Sequence, residues 1–75
     1  MNKDRRKRIA KIIDDVSDII SRLEAIIDEE QEAFDNLSEG LQCTMRGESM
    51  EEAIDTMNEA LDSFNEAVST LEEVG

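Results

Sequence analysis

The sequence contains no proline, histidine, tryptophan or tyrosine, and only two phenylalanines among 75 residues. Sheet sandwiches and barrels depend on aromatic and β-branched strands, so an all-β fold is not expected. Without histidine, the chain lacks the Glu-x-x-His pairs of carboxylate-bridged metal bundles and the base that commonly activates a nucleophile. We therefore expect no metal site, no cofactor, no catalytic residues and no enzymatic activity.

Cysteine is also scarce, because Cys43 is the single one in the chain and cannot form an internal disulfide. This usage fits a reducing compartment. Charged residues interrupt the apolar residues that follow the basic start, so neither a secretory signal nor a membrane span is expected. The sequence predicts a cytoplasmic protein that does not insert into membranes.

Basic residues are nearly absent outside the first 11 residues. Residues 1–11, here called the basic arm, hold six basic side chains against one acid, whereas residues 12–75 hold nineteen acids against two arginines. The whole chain has a formal charge of −12. This asymmetry favours self-complementarity or a basic partner, and it argues against direct nucleic-acid binding by the acidic body.

Apolar residues repeat every seven positions in three columns along the first half of the chain. Column one is Ile9, Val16, Leu23 and Leu37; column two is Ile12, Ile19, Ile26 and Ala33; column three is Ile13, Ile20, Ile27, Phe34 and Leu41. Three apolar positions in seven predict a long helix that is buried on a broad face and has more than one neighbour.

The same three columns reappear in the second half. They are Met50, Met57, Phe64 and Leu71; then Ala53, Ala60, Ala67 and Val74; then Ile54, Leu61 and Val68. Alanine every seven residues lets another helix approach closely, and the isoleucines of column two on the first helix are of complementary size.

These patterns place helix 1 at about 3–37, a turn at about 38–48 and helix 2 at about 50–73. Asn2 or Asp4 would cap helix 1, and Asp18 with Arg22 would support it as an i,i+4 pair. Ser49 and Glu52 have the spacing of a capping box for helix 2.

Two glycines mark the expected turn. Gly40 would end helix 1 in a left-handed conformation with Leu41 folding back as its contact; alternatively, Ser38 starts a short separate turn. Arg46-Gly47 would then form the break before helix 2.

Two helices with a short connection predict an all-α, antiparallel hairpin beyond which the basic arm projects. Because a lone hairpin leaves about half of such broad apolar faces exposed to solvent, we expect a homodimeric four-helix bundle or a larger helical assembly. The predicted oligomer core is Ile12, Ile19, Leu23, Ile26, Ala53, Ala60, Phe64 and Ala67. In an antiparallel dimer, each arm could reach the acidic turn region of the other chain, formed by Asp28, Glu29, Asp35, Glu39 and Glu48.

Glu30 interrupts column one where a core residue is expected. The favoured interpretation is a carboxylate that reaches water past the edge of the helix contact. A Glu buried for register or for a ligand is the alternative, and it is disfavoured because an unpaired buried charge costs several kcal/mol.

An acidic stripe follows helix 2, in which carboxylates recur every three or four residues and so lie about 5 Å apart along the axis. Its members are Glu52, Asp55, Glu59, Asp62 and Glu66. A DNA strand places a phosphate every ~3.4 Å, so the stripe could occupy a DNA-binding groove of another protein. The plainer interpretation, preferred from sequence alone, is a solvated face that keeps an oligomer dissolved.

Thr44, Arg46 and Ser49 form a possible anion or nucleotide site, because the start of a helix offers free amides and a positive dipole end. Neighbouring acids, among them Glu48, would repel phosphate there. The arm itself could bind anions, but it has no aromatic anchor, and pairing between subunits is the favoured interpretation.

Part of the chain resembles a group of short acidic helical proteins of phages and Firmicutes. The resemblance covers about a third of the chain and departs from the pattern at Ser38, where proline is expected. The matching stretches are Glu29–Leu37, Leu41-Gln42, Arg46-Gly47-Glu48 and Glu51–Asp55. The resemblance implies an accessory protein of a mobile element, of the kind that neutralises a host defence as a DNA mimic or as a sponge for nucleotide signals.

The sequence therefore predicts a non-enzymatic, self-associating module that binds another protein, with the acidic stripe as its contact surface. The first alternative is an oligomeric sponge for a small phosphorylated nucleotide at the Arg46-Gly47 turn. The second is a purely structural or regulatory coiled-coil oligomer.

Overall fold

Every regular element of residues 1–74, which the computed structural model describes, is helical. The elements are α1 (Lys3–Asp35), α2 (Glu39–Gln42) and α3 (Met45–Glu72). The long helices α1 and α3 pack along one another, and the molecule is elongated, with principal extents of 58 × 15 × 12 Å. The all-α prediction is confirmed.

The start of α1 is fixed by Asn2, whose side-chain oxygen accepts a hydrogen bond from the backbone amide of Arg5 at 2.8 Å. This cap is one of the two that the sequence allowed. Three exposed i,i+4 ion pairs support the helix weakly, because water and salt screen exposed charges. They are Asp4–Arg8, Lys11–Asp15 and the predicted Asp18–Arg22, whose charged atoms are 4.0 Å apart.

Columns one and three of both helices form the contact between α1 and α3, here called the seam. The helices run antiparallel: Phe34 shares a groove with Ile54, and Leu23, earlier on α1, shares one with Phe64, later on α3. Ile27 and Ile54 are the most buried side chains, at 8% and 7% exposure. Half-buried seam residues include Ile13, Val16, Ile20, Leu23, Phe34, Leu37, Met50, Met57, Leu61, Val68 and Leu71. Their spacing alternates between four and three, as in a two-stranded coiled coil.

The connection between the long helices is held by side-chain hydrogen bonds. Ser38 caps α2, its hydroxyl oxygen accepting from the amide of Leu41 at 3.4 Å. The side-chain amide of Gln42 donates to the carbonyls of Phe34, at 3.3 Å, and Leu37, at 3.2 Å. The carbonyl of Phe34 also accepts from the backbone amide of Leu37 at 3.0 Å, so Gln42 ties the end of α1 and Leu37 to the connection.

The expectation that Gly40 ends the first helix in a left-handed conformation is wrong. Gly40 lies inside α2, and none of the glycines described has a positive φ. Leu41 does not fold back as a contact either, since it is 52% exposed. The alternative is confirmed: α1 ends at Asp35, and Ser38 starts a new turn.

The expected capping box at Ser49 is also wrong. α3 begins at Met45 with Thr44 as its N-cap residue, which leaves Ser49 exposed in the second turn. Gly47, expected as the break, is a buried residue of α3. A Cβ at Gly47 would lie 2.3 Å from the backbone carbonyl oxygen of Gln42, so only glycine lets the two segments approach this closely. Tight packing here overrides the low helix propensity of glycine.

Replacing Gly47 with alanine should destabilise the protein. Alanine would gain about 1 kcal/mol of helix propensity, but the Cβ would force the connection away from α3 at a cost that exceeds this gain. We expect the free energy of unfolding, measured by urea denaturation at fixed protein concentration, to fall by ~1–2 kcal/mol.

Gly40→Ala is the matched control, because nothing lies within 4 Å of a Cβ at that position. It should leave the free energy of unfolding unchanged or slightly raised. Equal effects of the two substitutions would contradict the packing role assigned to Gly47.

Candidate functional site

Column two of each long helix lies outside the seam and faces solvent. On α1, Ile12, Ile19 and Ile26 are 48%, 40% and 52% exposed. Equivalent flanking positions of two antiparallel helices lie on the same side of their contact, so both column-two rows share one side of the hairpin. We call this side the apolar face. It consists of Ile12, Ile19, Ile26, Ala33, Ala53, Ala60, Ala67 and Val74.

The apolar face continues across the seam from one helix to the other. Phe64 of α3, which is 36% exposed, lines a shallow groove together with Leu23 and the exposed Ile19 and Ile26 of α1. Arg22 forms the rim of this groove. The face is therefore one connected surface.

The opposite side of the hairpin is polar. There Phe34 and Ile54 are flanked by Gln31, Glu51 and Asp55, which line the groove between the helices. The hairpin thus presents one apolar and one polar side, and a partner that buries apolar surface has a single side to bind.

The predicted oligomer core divides between the seam and the apolar face. Leu23 and Phe64 belong to the seam and line one groove from opposite helices. The remaining six residues lie on the apolar face and are exposed: Ile12, Ile19, Ile26, Ala53, Ala60 and Ala67. Seven-residue spacing alone could not separate the two groups, because all three columns have the same period.

Glu30 occupies the seam in column one and is half-buried. Its carboxylate thus remains partly exposed to water, which fits the interpretation of a side chain that extends past the edge of the helix contact.

The acidic stripe lies on α3 and is exposed along its whole length. Its residues, Glu52, Asp55, Glu59, Asp62 and Glu66, are all exposed. Within residues 1–74, the ion pairs closer than 4.0 Å join side chains of α1 only. The negative charge of the stripe is therefore not neutralised within the chain.

The residues of the predicted anion site lie near the start of α3. Thr44 is the N-cap residue, but its hydroxyl donates to the carbonyl of Leu41 and makes no capping bond to α3. Arg46 and Ser49 are exposed in the first two turns, beside the acidic Glu48. An anion or nucleotide site at these residues stays a prediction.

The basic arm forms the first turns of α1 and extends beyond the end of α3. Arg5 and Arg8 line a shallow groove with Met1, Ile9 and Ile12. Arg5 stands seven residues before Ile12, so this groove prolongs the apolar face. The sequence analysis missed this alignment, although the seven-residue spacing could have revealed it.

Two cations of the arm are already paired within α1. Arg8 contacts Asp4 at 3.0 Å, and Lys11 contacts Asp15. The hydrogen bond and the negative charge of Asp15 raise the pKa of Lys11 above its ordinary value of 10.5. Both pairs are exposed, so these cations remain accessible to a partner.

Residues 1–74 contain no group of three or more histidine, cysteine or acidic side chains arranged to hold a metal ion. Over the same residues, no helix has both the length and the apolar character that crossing a membrane requires. Comparison with known proteins finds no family model, no characterised protein and no solved structure that matches this chain.

Proposed function

We propose that this chain is a non-enzymatic protein-binding module that binds a second copy of itself through the apolar face. The observation that carries the proposal is the position of column two. Three large isoleucines and a row of alanines share one side of the hairpin, and no segment of residues 1–74 covers them.

The size of the exposed surface supports this proposal. Only two side chains of the hairpin are buried hydrophobic residues, while Ile12, Ile19 and Ile26 keep roughly half of their surface in water. From Ile12 to Ala33 the apolar face is about 32 Å long at ~1.5 Å per residue and up to 15 Å wide, a projected area of about 480 Å². Specific interfaces bury ~800 Å² per partner, and the groove along the basic arm, which prolongs the face, adds to the area available. Covering the apolar face would turn two marginal hairpins into a four-helix bundle with a continuous core.

Substituting Ile19→Gln together with Ile26→Gln should abolish self-association. Glutamine removes apolar area from the centre of the face without changing the net charge, and its helix propensity is slightly higher than that of isoleucine. We expect the dissociation constant of the dimer, measured by sedimentation equilibrium, to rise by at least ~100-fold. Far-ultraviolet circular dichroism should still show helix, because neither residue belongs to the seam.

Ser17→Gln with Ser21→Gln is the matched control on the same helix. Both serines are exposed, away from the apolar face, so the dimer should persist. A wild-type chain that is monomeric at tens of micromolar would refute the proposal, and so would equal dissociation constants for the two double variants.

A second interaction, with another protein, is proposed for the acidic stripe. Asp55 borders the groove on the polar side and the other positions point away from the seam, so the whole stripe lies off the apolar face and would stay accessible in the dimer. A carboxylate about every 5 Å along the axis offers a basic groove a line of charge comparable to a DNA strand. The resemblance to small acidic phage proteins supports a defence protein of a bacterial host as this partner.

Reversing two charges at the middle of the stripe, Glu59→Lys and Asp62→Lys, should remove this binding. The change replaces attraction to a basic groove with repulsion, which costs several kcal/mol at a contact of this kind. The measurement is retention of proteins from a bacterial extract on the immobilised chain. The bound partner should be released by duplex DNA and should be absent from the variant.

Glu24→Lys with Asp28→Lys gives the same change in net charge on exposed positions of α1. This control should retain the partner. Recovery of the same partner by wild type, stripe variant and control would contradict the role of the stripe and leave the self-association proposal unaffected.

A further inference from the structure

We infer that the second copy binds antiparallel, so that each basic arm lies against the acidic turn end of its partner. This inference rests on the proposed self-association through the apolar face and adds its orientation. Two arrangements cover that face. In one, both arms emerge at the same end of the bundle; in the other, the arms lie at opposite ends.

The position of the apolar face along the hairpin determines which residues of one chain lie opposite each end of its partner. The face runs from Ile12 to Ala33 on α1, so its midpoint lies near Leu23. If the second copy is antiparallel, the two-fold axis that relates the two copies passes close to Leu23. Residue 23 of each chain then meets its own counterpart, and the arm lies over the partner's segment from Asp35 to about Cys43. The arm's overhang beyond α3 is thereby covered by the partner.

Charge distinguishes the two arrangements. The arm has six basic residues and one acid, whereas residues 28–55 at the turn end have ten acids and one arginine. The arrangement with both arms together places like charges side by side at both ends of the bundle. The antiparallel arrangement places opposite charges together at both ends, and such contacts within a Debye length of ~8 Å are only partly screened at physiological salt.

The unpaired apolar side chains at the two ends agree with this orientation. Met1 is 61% exposed at the tip of the arm, while Leu41 and Met45 are 52% and 86% exposed at the turn end. An antiparallel partner brings the tip of each arm over the turn end of the other chain. Arg5 and Arg8 border the same groove as Met1, so charged and apolar contacts would form on one surface.

Side-chain size permits the orientation as well. Antiparallel copies place α1 on α1 and α3 on α3, so isoleucines meet isoleucines and alanines meet alanines. Helix separations of ~8–10 Å depend on the side chains between the axes, so the alanine rows allow α3 and its counterpart to approach more closely than the two copies of α1. The resulting bundle is wedge-shaped.

The natural Cys43, exposed at the turn end, provides the test. A spin label on Cys43 should show an intermolecular distance of about 55–60 Å in the antiparallel dimer, set by some 40 residues of helix at 1.5 Å each. With the arms together, the two labels would lie within ~25 Å, since adjacent helices are separated by only ~8–10 Å. A short Cys43 distance overturns the inference.

A second label position distinguishes a dimer of the other orientation from the absence of a dimer. Arg22 lies at the rim of the face, close to the two-fold axis, so Arg22→Cys in a Cys43→Ser background should give a short distance in either arrangement. A short Arg22 distance with a short Cys43 distance rejects only the antiparallel orientation. Absence of a short Arg22 distance rejects self-association through this face, and the orientation with it.

Neutralising the arm tests the charge contacts directly. Arg5→Gln with Arg8→Gln should raise the dissociation constant about tenfold, because each dimer loses four partly screened contacts between the arms and the acidic turn ends. Ser17→Glu with Ser21→Glu gives the same change in net charge at exposed positions away from the apolar face and should change it by less than threefold. Equal weakening by both pairs would show that net charge alone matters and would overturn the contact of the arm with the turn end.

Discussion

The contact between α1 and α3 uses only two of the three apolar columns that each helix carries, and the rest of the structure follows from this constraint. Two helices that meet along one line can enclose the residues of a 4-3 repeat, and Ile27 and Ile54 mark its most buried part. A third column at the flank of each helix has no place in such a contact. This third column stays outside the helix contact, regardless of which side chains it carries.

The antiparallel path of the chain turns two separate leftover columns into one surface. Had the helices run parallel, the two flanking columns would lie on opposite sides of the seam, and each would be a narrow row. Reversal of the chain places the isoleucines of α1 and the alanines of α3 on the same side. The connection that reverses the chain therefore shapes the candidate binding surface, although it contributes no residue to its centre.

That connection is specified by Gly47 and Gln42. The side-chain amide of Gln42 reaches back to carbonyls at the end of α1, and Gly47 leaves room for the backbone of Gln42 against the first turns of α3. The sequence marks Gly47 as an expected break, because its close contact with Gln42 exists only in the folded chain. The same closeness explains why a residue that usually interrupts helices lies inside one.

Seven-residue periodicity by itself determined the all-helical class, the two long helices and the identity of the apolar columns, because side-chain burial in a helix follows its turn. The sequence also shows the charge asymmetry, and it limited the cap of α1 to Asn2 or Asp4, of which the structure uses Asn2. Periodicity could not decide which two columns close on each other, since all three repeat alike. Nor could it locate the start of α3, because local propensity favours a break at Gly47. The tertiary structure decided both points: the backbone of Gln42 occupies the space of a side chain at Gly47, and a line of contact between two helices admits only the columns that face it.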